Sequence, residues 1–323
     1  MKNGIFPGIR KLAKDYDLIQ VHEYDQITSW IYYTDKKFKD KVIIYHGPYY
    51  SEFNVRYNKK CKLFDNIFLK LKSNSECLCV TKSNSAADFL LSKGFKNVKP
   101  VGVGLDTSAW KEELYSDKNK EAENLCSKRE TFTYLYIGKL EPRRNIIFLL
   151  DVVENLLRTN QNAQFLLIGD GDKAYKEKCL SKIQKWIECE RVEYISSVNQ
   201  AEMPKIYSRV DCMLFPSVYE IFGMVLMEAI YFGVPVITSN NGGADTLIRD
   251  GENGVVINSN DVIHNGKLKH GDGYNIGQWT DAANKMYIDT QFYDRVKAQL
   301  KIDRELLSWD NVANKILGHL YEK

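Results

Sequence analysis

Two glutamates stand eight positions apart in Tyr219-Glu220-Ile221-Phe222-Gly223-Met224-Val225-Leu226-Met227-Glu228-Ala229. The apolar run ending at Phe215-Pro216-Ser217 reads as a buried strand, and Met224 to Phe232 has helical spacing. Glu220 then falls in the loop ahead of the helix, and Glu228 about one and a half turns inside it. Between them, the backbone N–H groups of Phe222, Gly223 and Met224 open a helix with no capping side chain, a seat for an anion. Gly223 lets a ligand approach the backbone closely. Carboxylates accept hydrogen bonds from hydroxyls, and a helix N-terminus favours phosphate. A nucleoside diphosphate sugar carries hydroxyls at both ends and a diphosphate between them, so it fits this spacing.

The segment resembles the E-x7-E motif of the retaining GT-B glycosyltransferases, the large "family four" group. Further segments match in the same order. Tyr136-Ile137-Gly138-Lys139-Leu140-Glu141-Pro142-Arg143-Arg144-Asn145 is similar to that family's G-R-L-x-x-x-K-G segment. Ser239-Asn240-Asn241-Gly242-Gly243-Ala244-Asp245 is similar to its S-x-x-G-G-x-x-E loop, with Asp replacing Glu. Asp250-Gly251-Glu252-Asn253-Gly254 matches its D-G-x-N-G turn, and Ser308-Trp309 the start of its last helix. The resemblance runs over residues 17–323. It implies that Glu220 contacts the donor sugar and Glu228 holds the ribose. It also implies that Lys139 and Arg144 stabilise the leaving diphosphate, each charge-assisted hydrogen bond contributing roughly 1.5–3 kcal/mol. Arg143 is assigned to the surface beside a helix start. His46, in Ile43-Ile44-Tyr45-His46-Gly47, resembles the family's strand-end histidine that reaches the donor sugar; the alternative is a satisfied loop histidine. Gly138, Gly169 and Gly171 would line the nucleotide. Asp170-Gly171-Asp172 has the D-x-D form of metal-dependent sugar transferases, yet the resemblance places it in a strand-end glycine turn of a metal-free family. No cofactor or metal is expected; the donor would be a UDP-, GDP- or ADP-sugar.

The elements that position these groups follow from an α/β pattern. Apolar strands are expected at Leu18 to Val21, Val42 to Tyr45, Leu78 to Val80 and Val98 to Val101. Helical patterns near Gln26 to Tyr33, Lys62 to Lys72 and Ser83 to Leu91 separate them. A second series has strands at Phe132 to Ile137, Phe165 to Ile168, Val192 to Ile195, Cys212 to Phe215, Val234 to Thr238 and Gly254 to Ile257. Such alternation makes parallel sheets covered on both faces, with ligands at the carboxyl ends of the strands. The expected organisation is a partial N-terminal Rossmann-like domain over 1–106 on the acceptor side and a polar interdomain connection over 107–130. A C-terminal nucleotide-sugar-binding Rossmann-like domain follows over 131–305, with a terminal helix over 306–323 returning to the first domain. The family's opening strand and glycine-rich loop have no counterpart. The chain opens instead on a helical pattern (Ile9 to Tyr16); the missing segment is either supplied by another chain, lost naturally or removed by a mistaken start site, and activity of this chain alone is in question.

Composition narrows the partners. A chain of 323 residues, 44% hydrophobic, has length for two cores. No apolar run reaches the length of a membrane span, and seven scattered cysteines without a pairing framework read as reduced thiols in a cytoplasm. Residues 1–108 carry 18 Lys/Arg against 11 Asp/Glu, a basic half that suits a membrane surface or a lipid-phosphate acceptor. No nucleic-acid module is recognisable. Lys59 to Lys72 is basic and amphipathic, with Leu63, Phe64, Ile67, Phe68 and Leu71 on one face. That stripe is expected to pack on a sheet, leaving the lysines for anionic lipid. His264 and His270 fall in a polar insertion read as a mobile loop. The function expected is transfer of a hexose to a polysaccharide or glycolipid acceptor. The alternative is a non-catalytic or split-enzyme subunit that binds nucleotide sugar.

Overall fold

The computed structural model describes residues 8–38, 40–73, 76–108, 110, 131–258, 263–264, 267–268 and 276–321. The chain divides into two compact units, residues 1–103 with 310–323, and residues 104–309.

The first unit is built on a four-stranded parallel sheet in the order β1-β2-β3-β4: Ile19–His22, Val42–His46, Leu78–Thr81 and Val98–Pro100. The two central strands are buried along their whole length, as expected of parallel strands covered on both faces. One face packs Tyr24, Tyr33, Phe64, Phe89 and Phe95; the other packs Ile43, Tyr45, Leu78 and Val80 against Val312 of the helix Trp309–Tyr321. The helical pattern read over Lys62 to Lys72 starts earlier, at Val55. Ser51 Oγ accepts the Phe53 N–H and starts a 3₁₀ turn, Glu52–Asn54, that leads into the helix Val55–Phe64 and a π-helical turn, Asp65–Leu69. The expected packing of its stripe is half right. Phe64 is buried and Phe68 packs partly against the core, while Leu63, Ile67 and Leu71 are 62%, 45% and 74% exposed. Spacing decides the split: positions 61, 64 and 68 face inward, and 63, 67 and 71 follow on the outer face. The opening helical pattern contracts to Ile9–Leu12 and a 3₁₀ turn.

The second unit carries a six-stranded parallel sheet in the order β10-β9-β8-β5-β6-β7. In chain order the strands are Phe132–Ile137, Ala163–Ile168, Val192–Ile195, Cys212–Phe215, Val236–Ser239 and Gly254–Ile257. From β5 the chain winds outward through β6 and β7, then returns to the other side of β5 for β8 to β10. The order reverses between β5 and β8, and that is where doubly wound sheets open a crevice at their strands' carboxyl ends. Helices Ile146–Thr159 and Lys173–Glu188 follow β5 and β6. Trp279, in the helix Ile276–Ile288, is fully buried among the large apolar side chains of this core. Residues 111–130, most of the expected connection, and His270 lie outside the described residues, as does the side chain of His264.

Candidate active site

Two loops leave the sheet on either side of the reversal. After β5 come Gly138 to Asn145, and after β8 come Pro216 to Gly223. They are tied by backbone, since Val218 N–H donates to the Arg143 carbonyl at 3.1 Å. They are tied again by charge. Arg144 Nη1 forms an ion pair with Glu220 Oε1, and Arg143 Nη1 reaches the same oxygen at 3.2 Å. Arg143 also pairs with Glu141 Oε1 at 2.7 Å and donates to the Tyr219 carbonyl at 2.9 Å. Ser217 Oγ donates to Glu220 Oε1 at 3.4 Å. Glu220 is therefore a buried carboxylate gripped from three sides, not an exposed helix cap. Arg143, assigned by sequence to the surface, is one of its holders. The adjacent arginines reach one carboxylate because Pro142–Arg144 is a single 3₁₀ turn.

The turn ends on Asn145, whose φ of 56° is left-handed. In the similar family segment this position is a glycine, and asparagine is among the few other residues that adopt the conformation readily. Lys139 is exposed and makes no ion pair among the described residues. Behind it the loop after β6 runs alongside: Leu140 N–H donates to the Asp170 carbonyl at 2.9 Å, and Gly138 N–H to that of Ile168 at 3.0 Å. A Cβ on Gly169 would overlap the Gly138 carbonyl oxygen, so glycine is required for the two loops to touch. The D-x-D carboxylates have local partners. Asp172 Oδ1 accepts the Ala174 and Tyr175 N–H groups at the start of Lys173–Glu188, and Asp170 pairs with Lys176 at 2.7 Å.

The helix Met224–Tyr231 begins at Gly223, at φ 77°, with no side-chain cap. Its first turn carries neither an acid nor a capping hydroxyl, so no side chain of that turn satisfies its first N–H groups. Tyr219 and Phe222 are buried, while Met224 is partly exposed. Glu228 sits one turn on and is buried. Its Oε2 accepts from the Tyr207 hydroxyl at 3.1 Å and its Oε1 from the Gln200 amide at 3.4 Å. Burial pushes the Glu228 carboxyl above its ordinary 4.5, and the Gln200 and Tyr207 hydrogen bonds hold it back in part. Behind the β8 loop, the Asn241 amide donates to the Ser217 carbonyl at 2.9 Å. Asn241 Oδ1 accepts the Gly243 and Ala244 N–H groups, so the S-x-x-G-G loop buttresses the site from below.

The model of the glycosyl transferases group 1 family matches residues 117–265, the span that contains all these loops. Over that span the chain is similar to this family. Among its relatives, an uncharacterized 41.2 kDa protein in the cps region of Klebsiella pneumoniae is 27% identical over 247 residues, 75% of this chain and 64% of that one. The O-antigen chain mannosyltransferase B of Escherichia coli is 33% identical over 134 residues, 40% of this chain and 33% of that one. This chain thus spans less than two thirds of either relative. The crystal structure of Anabaena HepE in complex with UDP matches with a TM-score of 0.70 at 18% identity, over 98% of this chain and 82% of that chain. The fold is GT-B, with each unit a Rossmann-like parallel sheet as the sequence implies.

Within this GT-B fold the expected site residues fall in two places. Glu220, Arg144, Glu228, Gly138, Gly169, Gly171, Phe222, Gly223, Met224 and Lys139 all belong to the second unit, at or just beyond the carboxyl ends of its strands. His46 belongs to the first unit, at the end of β2, where it is fully buried. Its ring stacks on Phe89 at 5.6 Å, and its Nδ1 lies 2.7 Å from Glu23 Oε2. Burial alone would raise the Glu23 carboxyl, but His46, Lys82 and the Gly47 N–H together lower it. His22 is exposed, with its ring edge against Tyr45. Sequence reading missed Arg143, Tyr207, Gln200 and Glu23. Only Arg143 left a signal, as the second of two cations after a strand.

Proposed function

We propose that this chain is a retaining glycosyltransferase, moving a hexose from a nucleoside diphosphate sugar to a saccharide or lipid-linked acceptor without a metal. The observation that carries the reading is the meeting of Arg143 and Arg144 with Glu220 where the strand order reverses, beside an uncapped helix N-terminus. Arg144, Lys139 and the N–H groups of Phe222, Gly223 and Met224 would neutralise the diphosphate. Glu220 would accept from hydroxyls of the donor sugar, and Glu228 from those of the ribose. Fixed donors aimed at charge that grows as the bond breaks are the largest lever available here. In the transfer step the acceptor oxygen bonds to the anomeric carbon on the face from which the diphosphate departs. The carbon–oxygen bond to the diphosphate breaks, and the acceptor's proton passes to the leaving phosphate. His46, held through Nδ1 by Glu23, is assigned to the hexose by the resemblance alone.

Purified chain incubated with UDP-, GDP- and ADP-hexoses and a polyprenyl-linked saccharide should release nucleoside diphosphate and yield a product with the donor's anomeric configuration by NMR. Tight nucleotide-sugar binding with no transfer to any acceptor would instead favour a donor-binding subunit that needs a partner chain.

We also read the outer face of Val55–Phe64 and its π-helical extension as the contact with an anionic membrane. Among the described residues this face exposes Val55, Leu63, Ile67 and Leu71 beside Arg56, Lys59, Lys62, Lys70 and Lys72, and the acid of the span, Asp65, is taken up by Lys93 and the Tyr24 hydroxyl. Each aliphatic side chain taken out of water is worth about 1.5–3 kcal/mol, and each lysine near an anionic leaflet about 1 kcal/mol. The protein should float with phosphatidylglycerol vesicles at low salt and stay at the bottom with phosphatidylcholine. Leu63→Ser with Leu71→Ser should abolish flotation; if the double variant floats like wild type, this face is not the contact. No helix among the described residues is long and apolar enough to cross a membrane.

A further inference from the structure

Glu228 does not hold its own position. It is carried on the second turn of an eight-residue helix, and its carboxylate is fixed from outside that helix by two donors. The Tyr207 hydroxyl gives the shorter bond, 3.1 Å to Oε2; the Gln200 amide gives the longer, 3.4 Å to Oε1. Both donors meet one aromatic block. The Tyr207 ring stacks on Phe232 at 4.6 Å and 20°, and the Trp110 indole covers Phe232 at 4.7 Å. The Trp110 N–H donates to the Gln200 backbone carbonyl at 2.8 Å. A chain of contacts therefore runs from Trp110 through Phe232 and Tyr207 to one carboxylate oxygen, and through Gln200 to the other.

We infer that Tyr207 is a positioning residue for donor binding, locking the Glu228 carboxylate so that its remaining lone pairs meet the two ribose hydroxyls. The inference rests on the donor-site reading given above. A carboxylate offers about four lone-pair sites. Tyr207 and Gln200 occupy one on each oxygen, which leaves one on each for a vicinal diol. A glutamate has three rotatable side-chain bonds, and in an apolar pocket its unbound rotamers differ little in energy. The hydroxyl of a ring clamped by stacking removes that freedom before the ligand arrives. Tyr207 ends the short helix Met203–Tyr207, whose Met203, Pro204 and Ile206 are buried, so the ring's anchor is rigid as well.

Tyr207→Phe removes the hydroxyl and keeps the stack. UDP, GDP and ADP would each be titrated calorimetrically against the full chain, and the tightest binder carried forward with its 2′,3′-dideoxy analogue. Wild type should prefer the ribose form by about 10- to 100-fold, the ratio that hydrogen bonds to a charged group support. In Tyr207→Phe the ratio should fall to about threefold or less while affinity for the dideoxy analogue stays at the wild-type value. A residue that merely stabilised the fold would weaken both ligands together. Phe232→Leu, which removes the stack and keeps the hydroxyl, should lower the ratio to an intermediate value. A wild-type ratio retained in both folded variants would overturn the inference. So would a ratio near one in the wild type, because Glu228 would then not grip the ribose. Failure of the wild type to bind any of the three diphosphates would remove the donor-site reading itself, and the inference with it.

Discussion

Arg144→Ala should lower turnover about 100- to 1,000-fold, the loss that follows removal of one fixed donor from a site where negative charge develops. The Michaelis constant for the donor should change much less. The reason is the order of contacts. In the free protein Arg144 is already paired with Glu220 and packs its guanidinium over the Phe215 ring at 5.4 Å, so it is positioned before substrate arrives. Its benefit grows only when the diphosphate takes on charge. Arg144→Lys should recover little of the loss, because a single ammonium cannot reproduce the planar fork that touches both a carboxylate and an aromatic face. Glu220→Gln is the complementary change. It keeps the size and a hydrogen-bonding oxygen but removes one of the two carboxylates that both arginines meet, leaving Glu141 as the other, so donor binding should survive while transfer falls by a similar factor. Both variants should keep wild-type circular dichroism, since Arg143 still links the two loops through the Tyr219 carbonyl. Steady-state kinetics on the two proteins decide the matter: near wild-type turnover in folded Arg144→Ala would remove this arginine from the reaction.

Much of this site could be read from residue order, because parallel α/β folds announce themselves locally. Six apolar runs in the second half became its six strands, and each motif after them took the loop position the pattern implies. What could not be read is what depends on neighbours far apart in the chain. Arg143 and Arg144 are adjacent, and nothing in their order says that both turn toward position 220; that follows from the 3₁₀ turn and the backbone tie to Val218. Tyr207 looks like a core aromatic, and it is one, with only its hydroxyl reaching Glu228. The basic stripe was misjudged for the same reason. Periodicity separates one face of a helix from the other, but the sheet takes only as much of an apolar arc as its own width allows, leaving Leu63, Ile67 and Leu71 outside.

The D-G-x-N-G turn shows the converse, a motif that belongs to the family pattern yet does structural work here. Asp303, near the end of the helix Thr290–Arg304, is buried and accepts from Arg249 at 2.8 and 2.9 Å and from the Asn253 amide at 2.7 Å. Asn253 also accepts the Arg249 N–H at 2.7 Å and donates to the Leu247 carbonyl at 3.0 Å. One carboxylate thus fastens the turn Asp250 to Gly254, and the edge strand β10 that it starts, to a helix whose Asp303 lies 50 residues beyond Asn253. Asp303→Ala should take from Arg249 and the Asn253 amide their shared acceptor, leaving Arg249 its exposed pair with Glu252 and Asn253 its bond to the Leu247 carbonyl. Removing one partner of a buried pair costs about 3–5 kcal/mol; because Arg249 is 47% exposed and water can solvate it, about 2–4 kcal/mol is the fitting range. For a unit of this size that corresponds to a fall in melting temperature of roughly 4–16 °C. Calorimetry would read it from the transition of the second unit, and nucleotide binding below that transition should stay at the wild-type level. Asn253→Ala should cost less, because Arg249 keeps Asp303 paired. If Asp303→Ala melts with the wild type, or stays folded and loses nucleotide binding, the turn belongs to the donor site and not to the scaffold beneath it.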